Sequence, residues 1–363
     1  MREYLLVLLL SAGVTYLGAG GCRSLALRTG AVAHVRERDV HARPVPYFGG
    51  VAMLIGAIAA TVLAGVLPFL GRHPVVGDDA RTILIAGAVL CLIGAIDDVI
   101  DLPALAKLAG QVLAAGIVVA GGVRLFWIPL PNSIIAVDPI SSVLLTLLFI
   151  TICVNAINFV DGLDGLAAGV VGIGAAATFA YTYLLAYEQE LVRATTASLI
   201  SISIAGVCLG FLPHNYHRAR MFMGDSGSML LGLMLASTMV SLTGQIDPGA
   251  IVARGGGLLP AYLPIILPAA VLAIPLLDVV LAYLRRTLRG RWWFAADNEH
   301  LHHKLLRLGH SHAGSVWLLY GWSAVISFGT IAIGLSNRIL WTCVAVLICL
   351  AVLSYLTFVR RRT

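Results

Sequence analysis

Two adjacent carboxylates, Asp97 and Asp98, close an apolar run at Ile96-Asp97-Asp98-Val99. Neighbouring acids at a membrane boundary are costly unless a cation sits between them, and a helix C-terminus, negative by its dipole, raises that cost. A solvated helix end is the plainer reading, but the cost favours a functional pair. A second cluster reads Asn155-Ala-Ile-Asn158-Phe-Val-Asp161-Gly-Leu-Asp164-Gly165. Its polar residues recur every three positions, and at about 3.6 residues per turn each step shifts by about 60°, which makes a tilted stripe. Gly162 and Gly165 permit a tight turn or the close approach of a ligand. Polar groups also glue membrane helices together, a role that rarely needs two carboxylates.

Three more clusters carry charge or backbone donors. Met221-Phe-Met-Gly224-Asp225-Ser226-Gly227-Ser228 opens an apolar run. Gly-Asp-Ser-Gly is also found around serine-protease nucleophiles, but such a site needs a His and an Asp on a soluble scaffold. A helix start capped by Ser or Asp is the simple alternative, and such a start offers free N–H groups and a positive dipole end to an anion. Asn298-Glu-His300-Leu-His302-His303-Lys304 lies in the most basic loop. Its histidines could hold zinc, yet they lack the spaced Glu of zinc proteases, and the surrounding Lys and Arg favour phosphate. A lipid-surface basic loop is the plainer role. Arg36-Glu-Arg38-Asp39-Val-His41-Ala-Arg43-Pro44-Val-Pro46-Tyr-Phe-Gly49-Gly50 is a basic, proline-stiffened loop running into a Gly-Gly helix start.

The elements that must position these clusters are membrane helices. The 363 residues are 59% hydrophobic and 12% charged, with a mean hydropathy of +0.94; a soluble domain carries about 25% charged residues. Windows long enough to cross a bilayer fall near 4–20, 48–70, 81–97, 104–121, 139–157, 166–187, 194–212, 227–243, 259–284, 315–335 and 339–358. The expected fold is an all-α integral membrane protein of about eleven transmembrane helices, a single domain over 1–363. Its catalytic loops are expected near 21–47, 97–107, 155–165, 213–228 and 285–314. Residues 121–138, with Trp127 and two prolines, predict an interfacial turn or hairpin. The first apolar run could be read as a signal peptide; a retained helix fits better, since Ala19 stands where a lipoprotein cleavage site usually has Leu. The six cysteines form no C-x-x-C pair and read as small core residues.

One side of this arrangement holds 17 of the 24 Lys and Arg residues and all the histidines but His73. The positive-inside rule makes that side cytoplasmic, with the N-terminus outside and the C-terminus inside. The clusters share that face. Carboxylates beside cations suit a magnesium-bound diphosphate, with hard oxygens for the metal and positive charge for the phosphoryl groups. A membrane-embedded site implies that one substrate is a lipid. A transporter using intramembrane acids such as Asp278 is the competing class. Transporters, however, place charge at the midplane and often show repeats, and no repeat is visible here. A structural scaffold would leave the stripe at 155–164 unexplained.

With these motifs in order over about residues 36–303, the chain resembles the polyprenyl-phosphate N-acetylhexosamine-1-phosphate transferases. This superfamily includes phospho-MurNAc-pentapeptide translocase and the GlcNAc-1-phosphate transferases that begin O-antigen (lipopolysaccharide), teichoic acid or arabinogalactan-linker synthesis. The resemblance implies transfer of a sugar-1-phosphate from a UDP-sugar to polyprenyl phosphate, with release of UMP and a need for Mg2+ or Mn2+. It implies that Asp97 and Asp98 deprotonate the lipid phosphate or help hold metal, and that Asp225 binds metal. Asn155, Asn158, Asp161 and Asp164 match the nucleotide-sugar motif, with Asp164 set toward uracil, Phe222 stacking on it and Asn215 nearby. His300, His302 and His303 match the signature that handles the diphosphate or sugar. Many members have Arg-Lys-x-His before the Gly-Gly segment. Here Asp39 takes the Lys position, which leaves Arg38 and His41 as the substrate-binding candidates. The interrupted histidine triplet and eleven spans resemble the GlcNAc-1-phosphate branch rather than the translocase. The implied setting is the bacterial cytoplasmic membrane, multi-pass, with the site facing the cytoplasm. The implied partners are the UDP-sugar, the polyprenyl phosphate and membrane lipids, with no nucleic acid; a homodimer is left open.

Overall fold

The computed structural model describes residues 1–33, 44–130, 133–188, 192–245, 258–290 and 301–359. The expectations for Arg38, His41 and His300 lie outside these residues. So do those for the side chains of His302 and His303, whose backbone lies in a short helix.

The helices in order are α1 (Arg2–Thr29), α2 (Gly49–Val66), α3 (Pro74–Ile100), α4 (Ala104–Ala120), α5 (Pro139–Val160), α6 (Leu166–Glu188), α7 (Val192–Asn215) and α8 (Gly224–Gln245). They continue with α9 (Leu258–Val271), α10 (Ala273–Leu288), α11 (Leu301–Arg307), α12 (His312–Leu335) and α13 (Ile339–Phe358). Among the described residues, nine of them (α1, α2, α3, α5, α6, α7, α8, α12 and α13) are long and apolar enough to cross a bilayer. Helix α4 is apolar but only 17 residues long. The window expected at 259–284 is two helices that meet at Leu272. Pro275 explains the break, because it has no N–H to donate to the carbonyl of Val271.

A 3-10 turn at Leu70–Arg72 and two antiparallel ribbons complete the described structure. Val32–Ala33 (β1) pairs with Val45–Pro46 (β2), and Trp127–Leu130 (β3) pairs with Ser133–Ala136 (β4). The second is the hairpin expected within 121–138.

Helix α8 is the centre. Nearly all of its apolar window is buried, and it packs against α2, α3, α5 and α7, whereas α13 buries none of its residues. Close approach to the first turn of α8 depends on glycines. A Cβ on Gly94 of α3 would meet the Ser226 nitrogen at 2.5 Å, and one on Gly50 of α2 would collide with the backbone of Gly227. Backbone contact at this distance admits no side chain. The β2–α2 junction is tied to the same turn by main-chain hydrogen bonds. Phe222 donates to Pro46 (2.9 Å), Gly49 to Phe222 (3.1 Å) and Gly50 to Met223 (3.0 Å).

Candidate active site

Helix α3 ends at Asp101, whose backbone turns left-handed at φ 52° and donates to the carbonyl of Asp97. The side chain of Asp97 wraps the same end, its Oδ1 accepting from the Leu102 N–H at 2.7 Å. Pro103 then starts α4, and one turn into that helix Lys107 points back. Its ammonium lies 2.6 Å from Asp97 Oδ2 and 3.1 Å from Asp225 Oδ2. One cation therefore bridges two carboxylates from two helices.

Asp98 takes another direction. Its Oδ1 accepts from the Asp225 N–H at 2.8 Å, and its Oδ2 accepts from the Ser226 hydroxyl at 2.9 Å and the Ser226 N–H at 3.4 Å. The first N–H groups of α8 were expected to be open to an external anion. The anion they hold is a carboxylate of the protein itself, at the positive end of the helix dipole. Gly224 makes this contact feasible, since its φ of 69° is left-handed and a Cβ would collide with the Asp98 carboxylate. The cost of two acids at the end of α3 is thus met by a lysine for one and a helix N-terminus for the other.

Asp225 is oriented on its second oxygen by Asn158, whose amide donates to Asp225 Oδ1 and to the Ser228 hydroxyl, both at 2.9 Å. Asn155, one turn earlier on α5, faces α4. It donates to Gln111 Oε1 at 2.6 Å and to the Thr151 carbonyl at 2.8 Å. The helical stripe stops there, because α5 ends at Val160 and Asp161 to Gly165 form a turn. Half-buried Asp161 sits in that turn. Desolvation, and after it the charges of Asp225, Asp98 and Asp164, push its carboxyl up to about 8.

Buried Asp164 faces the segment before α8. Its Oδ2 accepts from the Ala219 N–H at 3.0 Å and lies 3.4 Å from His217 Nδ1. Asn215 is engaged at both ends of its amide, accepting from the Gly165 N–H and donating to the Met221 carbonyl, each at 2.9 Å. It joins the 161–165 turn to the segment that carries Phe222. Phe222 is half-buried, its ring 6.1 Å from that of Tyr47. Among the described residues, Asp97, Asp98, Asn158, Asp161 and Asp225 therefore gather at one place, with Asp164, Asn215 and Phe222 along its border.

Sequence reasoning missed Lys107 and Gln111, and gave Ser226 and Ser228 no role beyond that of a helix cap. Lys107 had a signal: it is the one charged residue of an otherwise apolar helix, ten positions after an acidic pair. Charge inside a membrane helix calls for a partner. Gln111, one turn further, is the only other strongly polar side chain on that helix.

Comparison with known proteins bears on the whole stretch. A family model described as "Glycosyl transferase family 4" matches residues 80–243, which run from α3 through α8 and include every acid of the cluster. The decaprenyl-phosphate N-acetylglucosaminephosphotransferase of Mycobacterium tuberculosis is 47% identical over 333 residues, covering 91% of this chain and 82% of that protein. The chain belongs to the polyprenyl-phosphate N-acetylhexosamine-1-phosphate transferase family. Two further members match at lower identity. A probable undecaprenyl-phosphate N-acetylglucosaminyl 1-phosphate transferase of Bacillus subtilis is 31% identical, covering 88% of this chain and 81% of that protein. A phospho-N-acetylmuramoyl-pentapeptide-transferase of Moorella thermoacetica is 31% identical, covering 72% of this chain and 76% of that protein. The family's transfer of a sugar phosphate is consistent with a site made, among the described residues, of acids, an ammonium and amides.

Proposed function

We propose that this transferase moves GlcNAc-1-phosphate from UDP-GlcNAc to a polyprenyl phosphate and releases UMP. Support for GlcNAc comes from the 47% identity to a phosphotransferase named for that sugar, against 31% and 34% to two muramoyl-pentapeptide enzymes. The observation that carries the chemistry is the Asp97–Lys107–Asp225 bridge beside Asn158.

An oxygen of the lipid phosphate attacks the sugar-linked phosphorus, the P–O bond to the uridylyl group breaks, and UMP leaves with that bridging oxygen. Both reactants are anionic, so the protein's work is mainly charge and alignment. Lys107 supplies fixed positive charge, Asn158 fixes the rotamer of Asp225, and Asp98 holds the start of α8 in place. A single displacement is sufficient, because the lipid phosphate is already a competent nucleophile. The residues fit a divalent cation: Asp97 and Asp225 present hard oxygens that already grasp one cation between them, as magnesium or manganese requires. Such an ion would supply charge to the diphosphate. Asp98, with both oxygens on backbone and hydroxyl donors, is a brace for that pair rather than a third ligand.

The excess of Lys and Arg on one side supports a site facing the cytoplasm at the bacterial inner membrane, and counting α4 and the α9–α10 pair beside the nine long helices supports a reading of eleven spans. Purified protein given polyprenyl phosphate and Mg2+ should release UMP from UDP-GlcNAc and not from UDP-MurNAc-pentapeptide. The opposite preference would overturn the choice of sugar. UMP exchange into UDP-GlcNAc without lipid would overturn the single displacement.

A further inference from the structure

A second set of side chains of metal-ligating type meets at the border of the acid cluster and takes no part in the chemistry above. Among the described residues, Asp164, His217 and His312 each turn one ligand atom so that all three lie within 4.8 Å of one another. They come from three places: the 161–165 turn, the segment between α7 and α8, and the first residue of α12. The two imidazoles stack with ring centroids 4.6 Å apart, tilted by 23°, and His217 Nδ1 approaches Asp164 Oδ2 at 3.4 Å.

The three carriers are tied to one another independently of these ligands. Asn215 takes the Gly165 N–H, the Tyr320 hydroxyl of α12 donates to the Gly165 carbonyl, and Trp317 Nε1 of α12 donates to the Tyr216 hydroxyl at 2.9 Å. Ser311 caps α12 by accepting from the Gly314 N–H at 3.1 Å, which fixes the turn that bears His312. The Ala219 N–H holds the Asp164 carboxylate. A frame fixed in this way presents its ligands without reorganisation, and supporting bonds of this kind are what orient a metal's ligands.

We propose that Asp164, His217 and His312 form a site for a zinc-class divalent transition ion, separate from the oxygen site at Asp97 and Asp225. Two imidazoles and one carboxylate suit Zn2+ or Co2+, while Mg2+ prefers oxygen ligands throughout, so the two sites select different ions from one solution. His217 is exposed, which leaves the site open to solvent. An ion bound there engages Asp164 and excludes its contact with a uracil; that consequence rests on the nucleotide reading above, whereas ion binding does not.

The test is equilibrium dialysis of the full-length, chelator-stripped protein in detergent against Zn2+, with Mg2+ in large excess and zinc per chain measured directly. The wild type should hold about one ion more than the His217→Asn/His312→Asn double variant. Replacement by Co2+ should give a visible absorption band that the double variant lacks. A His302→Asn/His303→Asn variant should keep both the ion and the band. Equal zinc in wild type and the first double variant would overturn the proposal, as would loss of the ion in the second. Should the first double variant run as an aggregate on gel filtration, the single His312→Gln variant replaces it under the same criteria.

Discussion

Asp98 and Asp225 are joined side chain to main chain: the carboxylate of Asp98 accepts the N–H of Asp225, while the carboxylate of Asp225 turns away to Asn158 and Lys107. Two acids of one cluster therefore do opposite work. One fixes the backbone of α8, and the other uses that fixed backbone to aim its charge.

Asp225→Asn should remove turnover by a factor on the order of a hundred or more, with the gel-filtration profile and Tm near those of the wild type. The steady rate of UMP release checks this. Activity within severalfold of wild type would take Asp225 out of the reaction.

Replacing Lys107 with Met leaves Asp97 and Asp225 facing each other without their shared ammonium. Asp97 is buried, but Asp225 keeps some solvent, so the cost should be about 1–3 kcal/mol, below that of a fully buried broken pair. Added Mg2+ should raise the Tm of the variant more than that of the wild type, because the ion takes the place of the lost charge. Thermal melts with and without Mg2+ decide; an equal response in both proteins would refute the bridge.

Gly224→Ala combines a left-handed backbone, φ 69°, with a collision against the Asp98 carboxylate. The strain alone is worth about 1–3 kcal/mol. Activity should fall with stability, because Asp98 must release the α8 N–H groups. A variant as stable and active as wild type would show that the carboxylate can move aside.

The Asp161 carboxyl titrates near 8 in the folded chain, well above an ordinary aspartate. Between about pH 4 and pH 8 the folded state therefore holds a proton that the unfolded state has lost, and stability contributed by this group falls as pH rises through that window. Asp161→Asn should flatten the decline. Tm against pH in cation-free buffer, for wild type and variant, measures it; parallel curves would remove Asp161 as the source.

Asn155 bonds Gln111 across α4 and α5, so Asn155→Leu should cost about 1 kcal/mol of stability and leave the KM for UDP-GlcNAc nearly unchanged. A KM rise of roughly tenfold or more at unchanged Tm would instead make Asn155 a substrate contact.

Hydropathy located the helices because bilayer length and composition are local properties of a sequence; each expected window falls on one described helix, except that at 259–284, which falls on two. The break at Leu272 was harder to see, since prolines inside membrane helices are often absorbed. In the site, the acids were legible as costs, and the spacing of Asn155 and Asn158 placed both on one helix. The sequence could not say which polar residue answers which. Lys107 is remote in sequence from Asp225, Asn215 from Gly165, and His312 from Asp164, and each pairing is made only when elements far apart in the chain pack. The taker of the α8 N–H groups was misjudged for the same reason: Asp98 reaches them through the bare face at Gly94 and Gly224.

The position of His312 at the head of α12 also sets an order of events in synthesis. Asp97, Lys107, Asn158 and Asp225 have all left the ribosome by the time α8 is made, whereas the Asp164 and His217 grouping waits for the α9–α10 pair and α11 to follow before its last member arrives. The two neighbouring centres are therefore born at different times, and the later one serves as a chemical marker that the C-terminal half has docked.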